Sequence, residues 1–350
     1  MSGDVEVGGL LAEQLERLFT RRVDRALIVS VERGVPADAL WSEVEALGAT
    51  VALADADAGG AGLDWVTCHA ALGATGRHAA PVPLGETMVG AWALGLGGAE
   101  SPPGALSVAT SIFSLDAQDR ITGSEALLPW ASAGSSTVVL AERGGKRWLA
   151  HVTLDDSDLS PRDSVARVPS ARLQLKAKAA RHLAPALERF GPLGLLPAMA
   201  VLRSVQTAAA LDRVLALTVE YANTRQQFGK PIGRFQAVQH LLSDLAGQTA
   251  TAQVAALYGC RQLDAGTPAV AERGAAVAKI AASRAAGIGA AAAHQVFGAI
   301  GVTDEHVLHN LTRRLWQWRS EAGSEHFWAE WLGRPLIAAG GAALWPAVAG

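Results

Sequence analysis

Residues 224–236 read TRQQFGKPIGRFQ, placing a guanidinium at Arg225, an amide at Gln227 and an aromatic ring at Phe228 around a turn built on Gly229, Pro231 and Gly233. A planar guanidinium fork matches phosphate oxygens, and an exposed ring gives a flat surface on which another ring can lie. Together they suit a phosphate-bearing ligand with a flat ring. The same residues allow a plainer reading, because a cation in the last turn of a helix complements the open carbonyls and the macrodipole.

Other clusters offer less. Glu305, His306 and His309 fall at i, i+1 and i+4, which could present metal ligands, but no fourth ligand follows at suitable spacing. A solvated helix face accounts for them, and no metal is expected. Trp316, Trp318, Trp328 and Trp331 recur at helical spacing and read first as core, second as the wall of a pocket for a flat or bulky group. There is no G-x-G-x-x-G, no P-loop and no G-x-S-x-G, which removes Rossmann dinucleotide binding, P-loop chemistry and the common hydrolase arrangement.

The elements that must position these residues follow from periodicity. From Leu10 to about residue 104 the pattern is helical, with segments such as ADALWSEVEALG stopped by Gly48. Residues 105–176 switch to short β-type runs, ALSVATS, STVVLAE, RWLAHVTL and ARLQL, with GSEALLPW, RGGK and DDSDLSP read as the breaks between them. From about Pro197 three long helices follow, suited to an antiparallel bundle, the third crowded with Ala and Gly so that neighbouring backbones can approach closely. The expected fold is mainly α with a small inserted β domain: a helical unit over 1–104, a reduced β unit over 105–176 and a C-terminal helix bundle over 177–350.

With 350 residues, half of them apolar, the chain can bury more than one core, and its net charge of -3 with interspersed signs provides no field for nucleic acid or an anionic membrane. Cys68 and Cys260 stand alone and read as buried thiols in a reducing compartment. No basic leader or long charge-free apolar run appears, so a cytoplasmic protein is expected.

The stretch YANTRQQFGKPIGRFQAVQHLLSDLA resembles the signature of the acyl-CoA dehydrogenase family, Y-A-x-x-R-x-x-F-G-x-x-I-x-x-F-Q. AKIAASRAAGIGAAAAHQVFGAIGVTDEH is similar to the family's A-K … Q-x-x-G-G-x-G-x-x-x-E segment, and DADAGGAGLDW to its P-E-x-x-G-G-x-G-L turn. The resemblance implies a helical domain, a β domain and a four-helix bundle, with FAD extended at a subunit interface. It implies that Arg225 holds the pyrophosphate, that Gln227 and Phe228 line the cofactor path, and that Gln295 and Gly298 meet the cofactor from a neighbouring chain. The implied reaction is α,β-dehydrogenation of an acyl-CoA, with electrons passed to an electron-transferring flavoprotein and an assembly of at least two chains.

The chain departs from the family pattern in three places. Ala299 replaces the second Gly of the turn, and no T-E-P-x-A-G-S-D loop is present, ITGSEALLPW being the nearest echo of the segment that follows it. Oxidising Cα–Cβ needs a carboxylate base whose pKa burial raises toward neutrality. Gap-free counting from Gln295 puts the family's Glu on Ala322, and the alternative site used by some branched-chain and long-chain relatives on Met199. A one-residue slip delivers Glu321, the candidate base here; Glu321 and Glu325 otherwise read as solvated acids of a loop and helix start. These losses support a rival reading, a non-catalytic subunit that completes the FAD site of an active paralogue.

Overall fold

The computed structural model describes residues 2–132 and 135–349. The helical unit comprises α1 (Ser2–Arg22), α2 (Arg25–Glu32), α3 (Asp38–Ala46), α4 (Trp65–Arg77) and α5 (Leu84–Leu96). Its helix starts are chemically specified: Asp24 accepts from the Leu27 amide and Asp64 from the Thr67 amide, each side chain satisfying an orphan donor. Gly48 follows α3 in the left-handed region, at φ 69°, where it serves as the expected stop.

The β unit is one seven-stranded sheet in the order β5-β6-β2-β1-β3-β4-β7. Its strands are β1 (Leu106–Leu115), β2 (Arg120–Pro129), β3 (Ser136–Arg143), β4 (Lys146–Thr153), β5 (Leu159–Pro161), β6 (Ser170–Ala179) and β7 (His182–Pro185). Two differences from the sequence reading stand out. GSEALLPW, read as a break, is most of β2, because Gly123 lies against the Phe113 ring and Glu125 has backbone donors to satisfy, so neither residue interrupts the strand. The sheet also continues beyond residue 176 to Pro185, through pairing of β7 with β4. β3 is buried on both faces: Val138 and Leu140 join the helical core, while Val139 and Ala141 join a second core on the sheet's other side.

The C-terminal unit holds α6 (Leu196–Thr224), then the two-residue strands β8 (Gln226–Gln227) and β9 (Lys230–Pro231), α7 (Gln236–Asp264), α8 (Pro268–Phe297), α9 (Leu308–Ser320), α10 (Glu325–Ala339) and α11 (Leu344–Ala349). Small residues allow the close packing expected of them: a Cβ on Gly259 would lie 2.9 Å from Ala278, and one on Gly289 would lie 2.6 Å from Leu211. The segment Pro268–Val302 is long and apolar enough to cross a membrane, but half of it is buried against neighbouring helices.

Asp264 ties the bundle to the helical unit. It accepts from the Trp65 and Val66 amides at 2.9 and 3.0 Å, capping α4 from the end of α7. Burial pushes its carboxyl up to about 6 against those two donors. Cys68 and Cys260 are both buried, and burial pushes the Cys68 thiol up to about 12, so it stays protonated and unreactive.

Candidate functional site

Where the sheet meets the bundle, a cleft of about 260 Å³ opens between Val108, Thr110, Glu125 and Leu127 on one wall and Met199, Arg203, Gln317 and Glu321 on the other. Glu321 follows the last residue of α9 and begins a turn in which Ala322 has φ +53° and Gly323 φ +85°. Its Oε2 accepts from Arg203 Nε at 2.6 Å, and its Oε1 from Gln317 Nε2 at 2.7 Å.

Those partners belong to a network that joins all three units. Arg203, 2 % exposed, also pairs with Glu86 Oε1 at 2.7 Å and donates to Gln206 Oε1 at 2.8 Å. Gln206 reaches Thr75 of α4, and Gln317 Oε1 accepts from the Val165 amide beyond β5. Burial opposes the Arg203 charge, but Glu321 and Glu86 outweigh it and hold the guanidinium above its usual range. Behind the turn, the Lys279 ammonium donates to the carbonyls of Arg319 and Gly323 at 3.0 and 2.8 Å. Burial pushes it down to about 7, with Glu321 and Glu325 partly offsetting the fall.

The β wall carries a second carboxylate. The pairing of β1 with β3 shifts between Val108 and Ile112, four residues on β1 spanning two on β3. Glu125 Oε2 accepts from the Thr110 and Ser111 amides within that bulge, at 2.9 and 2.8 Å, and from Thr110 Oγ1 at 3.3 Å. Glu125, Arg203, Lys279 and Glu86 were all missed in the sequence. A signal existed for three of them, a single charge inside an otherwise apolar helical run, as in AMAVLRSVQTAAAL, AAVAKIAAS and LGETMVGAWALGL.

The cation corner lies elsewhere. Arg225 caps the C-terminus of α6 through its backbone, and its exposed guanidinium has no hydrogen bond or ion pair among the described residues. Gln227 is exposed, and Phe228 is 92 % exposed at φ +50°, its ring edge-on to Phe235 at 6.1 Å. Tyr221, one turn before Arg225, stacks on Phe297 at 4.3 Å, which brings exposed Gln295 and Gly298 to the same end of the bundle. Gly298 has φ +63°, and a Cβ there would meet nothing within 4 Å. The five cofactor candidates therefore lie at the same end of the bundle. Glu321 is not among them. It hangs from Arg203, and Arg225 follows twenty-two residues later on α6, roughly 33 Å along the axis at 1.5 Å per residue.

The remaining candidates resolve simply. Glu325 starts α10 and pairs with Arg284, as a helix-start acid. His306 accepts from the Leu308 amide at 3.1 Å and packs on Phe297, and His309 lies 3.5 Å from Asp304. Trp318 and Trp328 are core, Trp316 stacks on His294, and none of the four tryptophans lines this cleft; Trp331 instead lines a separate cavity of about 960 Å³ between α7, α8 and α10.

Comparison with known proteins bears on the family and the fold. Residues 193–327 match the model of the acyl-CoA dehydrogenase C-terminal domain. The chain is 29 % identical over 317 residues to acyl-CoA dehydrogenase IpdE2 of Mycobacterium tuberculosis, covering 87 % of this chain and 89 % of that protein. Among solved structures it superposes on the Tcur3481-Tcur3483 steroid ACAD G363A variant with a TM-score of 0.85 and 27 % identity, over 96 % of this chain and 99 % of that one. It also shares its fold with the ChsE4-ChsE5 complex from Mycobacterium tuberculosis, at a TM-score of 0.83 and 21 % identity over 95 % of this chain and 97 % of that one. The C-terminal bundle matches the acyl-CoA dehydrogenase domain family, and over nearly its whole length the chain is similar in sequence and fold to acyl-CoA dehydrogenases, which are oxidoreductases.

Proposed function

We propose that the chain carries out flavin-dependent α,β-dehydrogenation of an acyl-CoA thioester, with Glu321 as the base and with each FAD held between two chains. The observation that carries this reading is the cleft itself, where a carboxylate fixed through both oxygens shares the lining with the apolar side chains of Val108, Leu127 and Met199. An ionised carboxylate offers about four lone-pair positions. Arg203 and Gln317 use one on each oxygen, so Glu321 keeps acceptor capacity for the α-proton without giving up either partner. Arg203 stays charged beside it throughout, and Met199 with Val108 keeps water from the reacting carbon. FAD, when bound, supplies the acceptor for the hydride that leaves Cβ as the α-proton passes to Glu321, and the thioester departs α,β-unsaturated.

The corner suits the far part of that cofactor. A diphosphate needs cationic donors with no internal anion, which Arg225 provides; a close backbone approach, which the open Gly298 permits; and a ring and amides at the rim, which Phe228, Gln227 and Gln295 supply. Because the corner stands far along α6 from the cleft, it serves the cleft of another chain, so the working assembly has at least two. An electron-transferring flavoprotein would take the electrons. The steroid relative makes a ring-bearing acyl group the first substrate class to try, in a lipid-degrading setting.

A second reading has its own support. Glu125 already occupies the two strand amides of the β wall, and both solved relatives bear paired names, so this chain could act as the subunit that lends its corner to an active paralogue. The visible spectrum of the purified protein separates the two. A yellow protein that bleaches on adding an acyl-CoA supports the first, and a colourless one that turns yellow only with a coexpressed paralogue supports the second.

A further inference from the structure

We propose that Lys279 is the positioning residue of the Glu321 carboxylate, acting through the backbone of the turn between α9 and α10. This rests on Glu321 being the base. Lys279 is 1 % exposed, and its three donors meet three acceptors: Arg319 O at 3.0 Å, Gly323 O at 2.8 Å and Ser283 Oγ at 3.2 Å. The two carbonyls bracket Ser320, Glu321 and Ala322, so one ammonium fixes the turn on both sides of the carboxylate. The turn needs holding. Ala322 sits in the left-handed region, which a residue with a Cβ enters at a cost, and such geometry persists only where its surroundings impose it. Trp328 Nε1 adds a third tie, donating to the Ala322 carbonyl at 2.9 Å.

Packing alone does not explain a lysine here. Burying a cation among carbonyls and a hydroxyl is costly, and an apolar side chain of similar length would fill the same space without that cost. The charged groups facing the ammonium are Glu321 in the turn, Arg203 on α6, Arg319 on α9 and Glu325 on α10, two of each sign, so burial decides and the ammonium titrates near neutrality, at about 7. The neutral amine keeps two donors for three acceptors. The clamp is therefore complete on the acid side of neutrality and short of one bond on the alkaline side.

Hydrogen exchange of the segment 319–324, read by mass spectrometry at pH 6 and pH 8.5 and corrected for intrinsic exchange, tests this. For fraying of the turn alone, with Lys279 still buried in the bundle, protection of the segment in the native chain should fall at least about tenfold between the two pH values, the worth of one charge-assisted bond. Lys279→Arg, always charged, should keep the segment protected at both, and Lys279→Met should leave it weakly protected at both. In the same variants the alkaline limb of the kcat profile near pH 7 should vanish, with KM unmoved. Protection in the native chain that does not change with pH, or that is equal in Lys279→Met, overturns the proposal. Glu321→Gln keeps the two questions apart: if it retains full turnover the base assignment falls, while the exchange measurement still decides whether Lys279 clamps the turn.

Discussion

Two arginines on one helix have opposite surroundings. Arg203 is buried and holds Glu86, Glu321 and Gln206 at once; Arg225, at the far end of α6, meets no partner among the described residues and faces solvent. Burial of a cation is tolerable only when its charge is matched, so Arg203 is committed to the fold. A guanidinium kept at an exposed corner beside a bare phenylalanine has a surface still to meet. The pair teaches that the charges of this chain are divided: those of the cleft are matched within it, and that of the corner is not.

The contrast can be broken at either end. The largest effect should follow Arg203→Met, which strands two carboxylates in the interior and should cost about 3–5 kcal/mol in urea unfolding. Next comes Glu321→Gln, which keeps the contour of the cleft and removes the proton acceptor; turnover should drop at least ~100-fold with flavin content unchanged. Lys279 should set the pH dependence of stability. Its folded pKa of about 7 is below the ordinary lysine value of 10.5, so between these values the unfolded chain binds a proton that the native chain does not. Stability should therefore rise with pH across that window, by up to about 1.4 kcal/mol per unit, and the slope should disappear in Lys279→Met when urea midpoints at pH 7 and 9 are compared. The smallest effect on stability belongs to Arg225→Ala, which should leave the urea midpoint unchanged while flavin per chain falls; an unaltered flavin ratio would return Arg225 to the role of a helix-end cation.

The same division governs what was legible in the sequence. The corner could be read directly, because Arg225, Gln227, Phe228 and the glycines after them are adjacent in the chain and their spacing survives as a local turn. The helices were legible through period and caps, as at Asp64 and Gly48. The cleft was mostly illegible because it is assembled from four separate segments, and an isolated charge such as Arg203 or Lys279 shows its partners only after folding. β2 was lost for a related reason: Gly123 and Glu125 look like strand breakers until the Phe113 ring and the Thr110 and Ser111 amides are set against them. Glu321 fell between, its position reachable by counting and its fixed pose set by Arg203 of α6, 118 residues earlier in the chain.

The central claim, that the corner of one chain completes the cleft of another, is tested most directly by coexpressing Arg225→Ala with Glu321→Gln. Each parent alone should be nearly inactive, the first for want of flavin and the second for want of a base. Mixed assemblies unite an intact corner from one chain with an intact cleft from the other, so turnover should return to about a quarter of the native value if chains pair at random in a twofold dimer. Activity no higher than that of the two parents measured separately would contradict the account.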